Sequence, residues 1–263
     1  MKLFACQQCG LMKTDFPQGK NISDYYQSAD YISHTSKATG FIQQLYLLVR
    51  SYTLNQKYRL ITSLKSPVNS IADIGCGTGN FLNRMKQGDW EISGVEPSDQ
   101  ARAIAERTTQ TTIGKDLRAF HAKAGVITLW HVLEHLQNPL ESIRKLSENL
   151  LPGGSILIAV PNHKSADARH YGIHWAGLDV PRHLWHFTQH AISLLARKAG
   201  LTVQQVLPMK FDAYYVSMLS EGYKTGSSSG LMNLIKGSWS GLRSNLRARK
   251  TGEYSSLIYV LKK

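Results

Sequence analysis

Ser70-Ile71-Ala72-Asp73-Ile74-Gly75-Cys76-Gly77-Thr78-Gly79-Asn80 is the stretch on which the fold turns. A short apolar run, Ser70 to Ile74, stops at glycines spaced by single residues and gives way to a helical pattern from Asn80 to about Gln87. Strand, tight turn and helix form the first half of a βαβ unit. The turn calls for glycine because it must bend sharply and let a ligand approach its backbone, and glycine has no Cβ and accepts positive φ. Amides at the start of the helix beyond attract negative or acceptor groups. Asp73 sets a carboxylate at the end of the strand.

The same alternation continues on both sides. Upstream, residues Lys37 to Leu64 carry apolar side chains at three- and four-residue spacing and read as a helix that Pro67 ends. Downstream, Glu91 to Val95 is a second strand, Ser98 an N-cap for a helix through Arg107, Thr111 to Gly114 a weak third strand and Val126 to Trp130 a fourth. Pro139 opens a helix to Leu150, closed by Pro152-Gly153-Gly154, and Ser155 to Val160 is a continuous apolar strand. Gln189 to Lys198 reads as a helix, Leu201 to Leu207 and Ser255 to Leu261 as the last strands, and Glu221 to Gly230 as a loop. Strands of this length alternating with helices predict an α/β fold whose ligand crevice opens at the carboxyl ends of the strands.

Glu96 ends the second strand, about 20 residues after the glycines, where a carboxylate can accept ribose hydroxyls. A dinucleotide fingerprint, G-x-G-x-x-G, would need its last glycine at Asn80, so a dehydrogenase is the remote alternative.

These motifs carry a resemblance. Asp73-x-Gly75-x-Gly77-Thr78-Gly79 is similar to motif I of class I S-adenosylmethionine methyltransferases, and Gly94-Val95-Glu96-Pro97-Ser98 to their motif II. Trp130-His131-Val132-Leu133-Glu134-His135-Leu136 and Leu151-Pro152-Gly153-Gly154 resemble the segments after the fourth strand and before the fifth. The likeness is to the family that includes the ubiquinone-biosynthesis O-methyltransferases, and it covers about Tyr25 to Thr188. It implies a Rossmann-like fold with a mostly parallel seven-stranded sheet, helices on both faces, an N-terminal helical lid and a C-terminal insertion. Residues 1–35 would be an N-terminal segment, and 36–263 the methyltransferase domain with acceptor-side insertions at about 161–188 and 208–252. It further implies that Gly75, Cys76, Gly77, Thr78 and Gly79 pass under S-adenosylmethionine, that Glu96 and Pro97 meet its ribose, and that Asp116 and Leu117 flank the adenine. Trp130 and His131 would lie near the sulfonium, and Tyr31 and His34 would belong to the lid. S-adenosylhomocysteine is the implied product.

Methyl transfer to a hydroxyl needs a group that removes a proton near neutral pH, and histidine is the usual choice. His131, after the fourth strand, and His183, in Asp179-Val180-Pro181-Arg182-His183-Leu184-Trp185-His186-Phe187, are the candidate bases. Arg182 either binds an acidic group of the acceptor or pairs with Asp179. His131 and His135 share a helical spacing that suits a metal pair, but no carboxylate pattern accompanies it and no metal is expected. The pair Cys6 and Cys9 is similar to one knuckle of a zinc ribbon, and zinc needs four ligands. It is read as a ribbon remnant without metal.

The net charge of +13 is compatible with nucleic acid, an anionic membrane or an acidic substrate, or with solubility alone. Much of it is dense near Lys236, Arg243, Arg247, Arg249 and Lys250. With Leu231, Ile235, Trp239, Leu242 and Leu246 at helical spacing, residues 231–250 read as a basic amphipathic helix. Its apolar face is expected to pack on the domain, with anionic lipid as the alternative; Gly237 and Gly241 argue against a continuous helix. The expected acceptor is a small molecule methylated at oxygen, with an RNA methyltransferase and a non-catalytic cofactor-binding partner subunit as alternatives. No apolar run is long enough to span a membrane. With Gln7 and Gln8 too early for a secretory signal and with three cysteines, a reducing cytoplasm is the expected compartment.

Overall fold

A computed structural model of the chain describes residues 2–16, 41–226 and 231–263. The chain divides into two compact units, each assembled from several stretches. One comprises Met1–Lys20, His131–Glu141 and Ile158–Leu261, the other Asn21–Trp130, Ser142–Leu157 and Lys262–Lys263. In chain order the elements begin with the strands β1 (Leu3–Ala5) and β2 (Met12–Thr14) and the helix α1 (Phe41–Ser63). The alternating stretch follows as β3 (Ser70–Ile74), α2 (Asn80–Lys86), β4 (Glu91–Val95), α3 (Asp99–Thr109), β5 (Ala124–Trp130), α4 (Pro139–Glu148) and β6 (Leu150–Pro161). Next come α5 (Ala166–Tyr171), β7 (Trp185–His186), α6 (Gln189–Lys198), β8 (Thr202–Pro208), α7 (Lys210–Thr225), α8 (Leu231–Thr251) and β9 (Ser256–Lys262).

The main sheet has six strands in the order β4-β3-β5-β6-β9-β8, and β3 pairs in parallel with both β4 and β5. All five residues of β3 are buried, as a strand covered on both faces requires. Chain order reverses direction at β3 and β5, so the ends of these strands form the switch point where open α/β sheets bind ligands. Ser98 caps α3 by accepting the Ala101 amide, as its position before the helix predicts.

The seventh strand expected at Thr111–Gly114 is absent; that stretch makes a single parallel bridge, Val95 to Gly114. Of its residues only Ile113 brings a large apolar side chain to bury, too little to hold an extended strand at the sheet edge. Pro152-Gly153-Gly154 lies within β6 rather than outside it. The loop expected from Glu221 is helical up to Thr225, where Gly226 ends α7 at φ +68°. Glu221 is buried and accepts the Tyr171 hydroxyl, and this anchoring keeps the last turn helical despite its small residues.

Helix α8 also departs from expectation. It runs unbroken through both glycines because they are its packing face against α7. A Cβ on Gly237 would meet Met218 Cα at 2.6 Å, and one on Gly241 would meet the Ala213 carbonyl oxygen at 2.8 Å. Ser244, Asn245 and Ala248 continue this buried stripe. The large apolar residues are therefore turned outward: Trp239 is 69% exposed and Ile235 56%. The expectation that the apolar face packs on the domain is overturned. No helix among the described residues is long and apolar enough to cross a membrane.

The N-terminal hairpin, in which periodicity shows nothing, joins β7 in a second sheet of order β1-β2-β7. Its turn carries Cys6 and Cys9, and the amides of Cys9 and Gln8 hold the Cys6 thiol below its usual range. Neither cysteine joins a metal-ligand cluster among the described residues.

Candidate functional site

The site begins with the turn after β3. Gly75, Gly77 and Gly79 all have positive φ, the conformation predicted from their spacing. They serve different ends. A Cβ on Gly79 would strike Ala105 Cα at 2.9 Å, so this glycine lets α2 approach α3. A Cβ on Gly77 would meet nothing within 4 Å; its missing side chain leaves open space above the turn. Cys76 points the other way, buried beneath the loop beside Gly94, and burial raises its thiol pKa. Thr78 accepts a hydrogen bond from Asn80.

Glu96 braces the turn from the end of β4. One carboxylate oxygen accepts the Gly77 amide at 2.8 Å and the other the Ser98 amide at 2.9 Å. Each oxygen keeps a second lone pair for a ligand donor. Burial pushes the Glu96 carboxyl up, against the pull of those two amides. Pro97 beside it is exposed.

Asp73 is buried and accepts the Thr128 hydroxyl at 2.6 Å, across the β3–β5 pair. Burial raises its pKa to about 7, against that hydrogen bond and the charge of Lys57. Between about pH 4 and 7 the folded chain therefore keeps a proton that the unfolded chain has lost. Stability should fall as pH rises through this window, by about 1.4 kcal/mol per pH unit at most. The Asp73→Asn variant, which keeps an acceptor for Thr128, is expected to flatten that slope in melts recorded from pH 4 to 7; an unchanged slope would show that Asp73 is not its source.

Asp116 accepts the Arg118 amide and pairs with its guanidinium, which together lower its pKa, and Leu117 starts the following 3₁₀ turn, half-buried. Trp130 ends β5 edge-on to Phe81, with Lys57 of α1 4.2 Å from its ring centre. Its indole N–H is buried and has no hydrogen-bond partner among the described residues. Lys57 was not singled out in the sequence; nothing in a helix pattern marks which lysine reaches an aromatic ring. Tyr31 and His34, and with them the expected lid, lie outside the described residues.

The histidines gather in the other unit. His131, at φ +56°, donates Nε2–H to Asp212 at 2.9 Å and lies 3.3 Å from Glu134 through Nδ1. Burial alone would depress its pKa, but the bonds to Asp212 and Glu134 outweigh it and lift the value to about 10, so the imidazolium is the resting form. His183 is the reverse case. Burial lowers its pKa to about 4, its Nδ1–H is donated to the Gly177 carbonyl, and Nε2 therefore carries the lone pair. His135 is held likewise by the Arg182 carbonyl, and Arg182 itself pairs with Asp179.

Glu134, His135 and His183 bring one ligand atom each within 4.8 Å of one another. Glu134 is 1% exposed, and among the described residues neither carboxylate oxygen has a hydrogen bond of good geometry, Oε1 lying 3.3 Å from His131 Nδ1. These three are the described residues able to hold a divalent cation. The carboxylate missing from the sequence pattern is Glu134, and His183 reaches it only through the fold. Asp212 was missed too, because its distance in sequence from His131 gives no signal.

A methyltransferase-domain family model matches residues 49–206. The chain belongs to the methyltransferase-domain family. A ubiquinone biosynthesis O-methyltransferase of Nitrosospira multiformis is 25% identical to it over 158 residues, 54% of this chain and 66% of the relative. A tRNA U34 carboxymethyltransferase of Desulfotalea psychrophila is 31% identical over 99 residues, 34% of this chain and 31% of the relative. The chain thus spans from about a third to about two thirds of the length of these curated relatives. The solved magnesium protoporphyrin IX methyltransferase of Synechocystis, with S-adenosylhomocysteine bound, has a TM-score of 0.58 at 14% identity, covering 90% of this chain and 96% of that one. At that identity the likeness is one of fold. The family match takes in the glycine turn, Glu96, Trp130 and the histidines up to His186, and stops short of α7 and α8.

Proposed function

We propose that this methyltransferase-family chain transfers the methyl group of S-adenosylmethionine to an oxygen of a small-molecule acceptor and releases S-adenosylhomocysteine. The observation that carries the reading is the open space above Gly77, in a turn braced by Glu96 at the switch point of the sheet. The buried Trp130 indole N–H, without a partner among the described residues, fits a polar ligand as well. Gly75 to Gly79 would cradle the cofactor, Glu96 and Pro97 meet its ribose, and Asp116 and Leu117 flank its adenine. Residues 36–263 would form the catalytic domain, with 161–188 and 208–252 on the acceptor side. The described cysteines are free, in keeping with a cytoplasmic setting.

Of the two histidines proposed from sequence, His183 is the better base. Its Nε2 lone pair is available at neutral pH, whereas His131 already holds its proton. Nε2 would take the acceptor hydroxyl proton, and S-adenosylmethionine, held by Gly75 to Gly79 and Glu96, would supply the methyl group to that oxygen. His131, paired with Asp212 and Glu134, orients and does not abstract. A second reading rests on Glu134, whose buried carboxylate faces His131 and also lies within 4.8 Å of ligand atoms of His135 and His183. A divalent ion on Glu134, His135 and His183 would supply Lewis acidity toward an oxygen acceptor. The partner reading includes peripheral contact of residues 231–250 with an anionic membrane.

Calorimetric titration with S-adenosylmethionine, S-adenosylhomocysteine and NAD tests the cofactor, followed by methyl transfer to a panel of phenolic acceptors. Both adenosyl compounds should bind and NAD should not; the reverse would sink the reading. His183→Ala is expected to lower turnover by about 10² to 10⁴-fold and leave S-adenosylhomocysteine binding intact. Turnover lost to a chelator and restored by Co²⁺ would move the role to the cation, and transfer to RNA alone would replace the small-molecule acceptor.

A further inference from the structure

We infer that the cavity bounded by α5, α7 and α8 seats the phosphate of an anionic phospholipid headgroup, with α8 lying along the bilayer surface. This deepens the peripheral-contact reading above and rests on it, not on methyl transfer. The cavity, about 210 Å³, is lined by Lys236, Trp239, Arg243 and Arg247 from α8, with Asp167 and Glu221 among its other walls. The two acids are turned to protein donors. Asp167 accepts from Trp175, Ser244 and Ser255, and Glu221 accepts from Tyr171. The cations are not so engaged: Lys236, Arg243 and Arg247 make no ion pair among the described residues. An opening with three such cations at its rim and its carboxyls already bonded is built for an anion.

What tells a lipid from a free anion is the surface around the opening. Along α8, Leu242 and Leu246 are exposed with Ile235 and Trp239, and so are Met232 and Leu234. Such a run of apolar side chains is normally buried. Here the buried stripe is the small-residue face, and its glycines bring the α7 backbone so close that the large residues have no inward position to take. Lys236, Arg243, Arg247, Arg249 and Lys250 are exposed among them, and α8 contains no Asp or Glu. Exposed apolar groups among cations, with Trp at the boundary, match the acyl–headgroup interface of an anionic bilayer in both polarity and charge. A nucleic acid would match the charge alone and leave the apolar groups in water.

The test is co-sedimentation of the full chain with phosphatidylcholine vesicles, with and without phosphatidylglycerol. Binding to the anionic vesicles only, weakened by salt, is expected. The double variant Arg243→Glu, Arg247→Glu should lower that affinity at least about tenfold. Trp239→Ala should weaken binding and remove the blue shift of tryptophan emission on vesicle addition. Circular dichroism and the unchanged S-adenosylhomocysteine affinity of each variant show that it is folded. Equal binding to neutral vesicles, or anionic binding that survives the double variant, overturns the inference. So does tighter binding to RNA than to vesicles, or release from vesicles by inorganic phosphate at matched phosphate concentration, which would mark a site for free anions. Loss of cofactor binding in the wild-type chain with lipid binding intact would instead fail the methyltransferase reading alone.

Discussion

Gly77→Arg is expected to abolish S-adenosylhomocysteine binding while leaving the protein folded. The two consequences separate because of where a side chain at this position would go. With nothing within 4 Å of its Cβ, the arginine starts into the space assigned to the cofactor, and its Cβ displaces no protein atom. Affinity should fall at least about a thousandfold, equivalent to about 4 kcal/mol. The fold pays only for a non-glycine residue at φ +57°, about 1–2 kcal/mol, or a melting temperature lower by a few degrees for a chain of this size. Gly79 supplies the contrast. A Cβ there meets the Ala105 backbone and the Thr109 methyl at 2.9 and 3.0 Å, so overpacking adds about 1–3 kcal/mol to the backbone strain. Gly79→Ala should therefore lose stability more than Gly77→Arg, although it adds a far smaller group. Calorimetry and thermal melts of both variants decide the matter. Undiminished binding in Gly77→Arg would mean that the turn does not hold the cofactor.

Asp167→Ala should be among the most destabilising single changes in the chain. Asp167 is 1% exposed. Its carboxyl oxygens accept the Trp175 indole at 2.8 Å, the Ser244 hydroxyl at 2.6 Å and the Ser255 hydroxyl at 2.6 Å. Ser244 belongs to α8 and Ser255 immediately precedes β9, so one side chain of α5 ties its own segment to the C-terminal stretch 77 and 88 residues further on. Alanine strands three buried donors, each worth about 1–3 kcal/mol unsatisfied, partly relieved if water enters. A loss of about 3–5 kcal/mol is expected in urea unfolding, with Asp167→Asn intermediate because its amide keeps one acceptor oxygen. A midpoint within the error of wild type would show that these bonds are replaced readily and do not hold α8 in place.

Local chemistry accounts for what could be read without coordinates. The turn from Gly75 to Gly79, the Ser98 cap and the continuous apolar β3 are each specified within a few neighbouring residues: φ needs glycine, a helix start needs an acceptor, and a strand covered on both faces needs unbroken apolar side chains. The α/β class, the glycine turn and the Glu96 brace thus follow from residues close together in the chain. Other features depend on distant partners. The His131 imidazolium needs Asp212 and Glu134; the neutral His183 needs burial and the Gly177 carbonyl. No spacing rule links residues 131 and 212. The outward apolar face of α8 is the plainest case. Its helical period was legible, but periodicity shows only that two faces differ, and small residues packing on α7 took the inner one. By itself the sequence determined the fold class, the glycine turn and the family resemblance, because these rest on backbone geometry repeated locally. Only the tertiary structure decided which histidine holds a proton, which carboxylates face it and which side of α8 meets the solvent, because burial and through-space charge are properties of the packed chain.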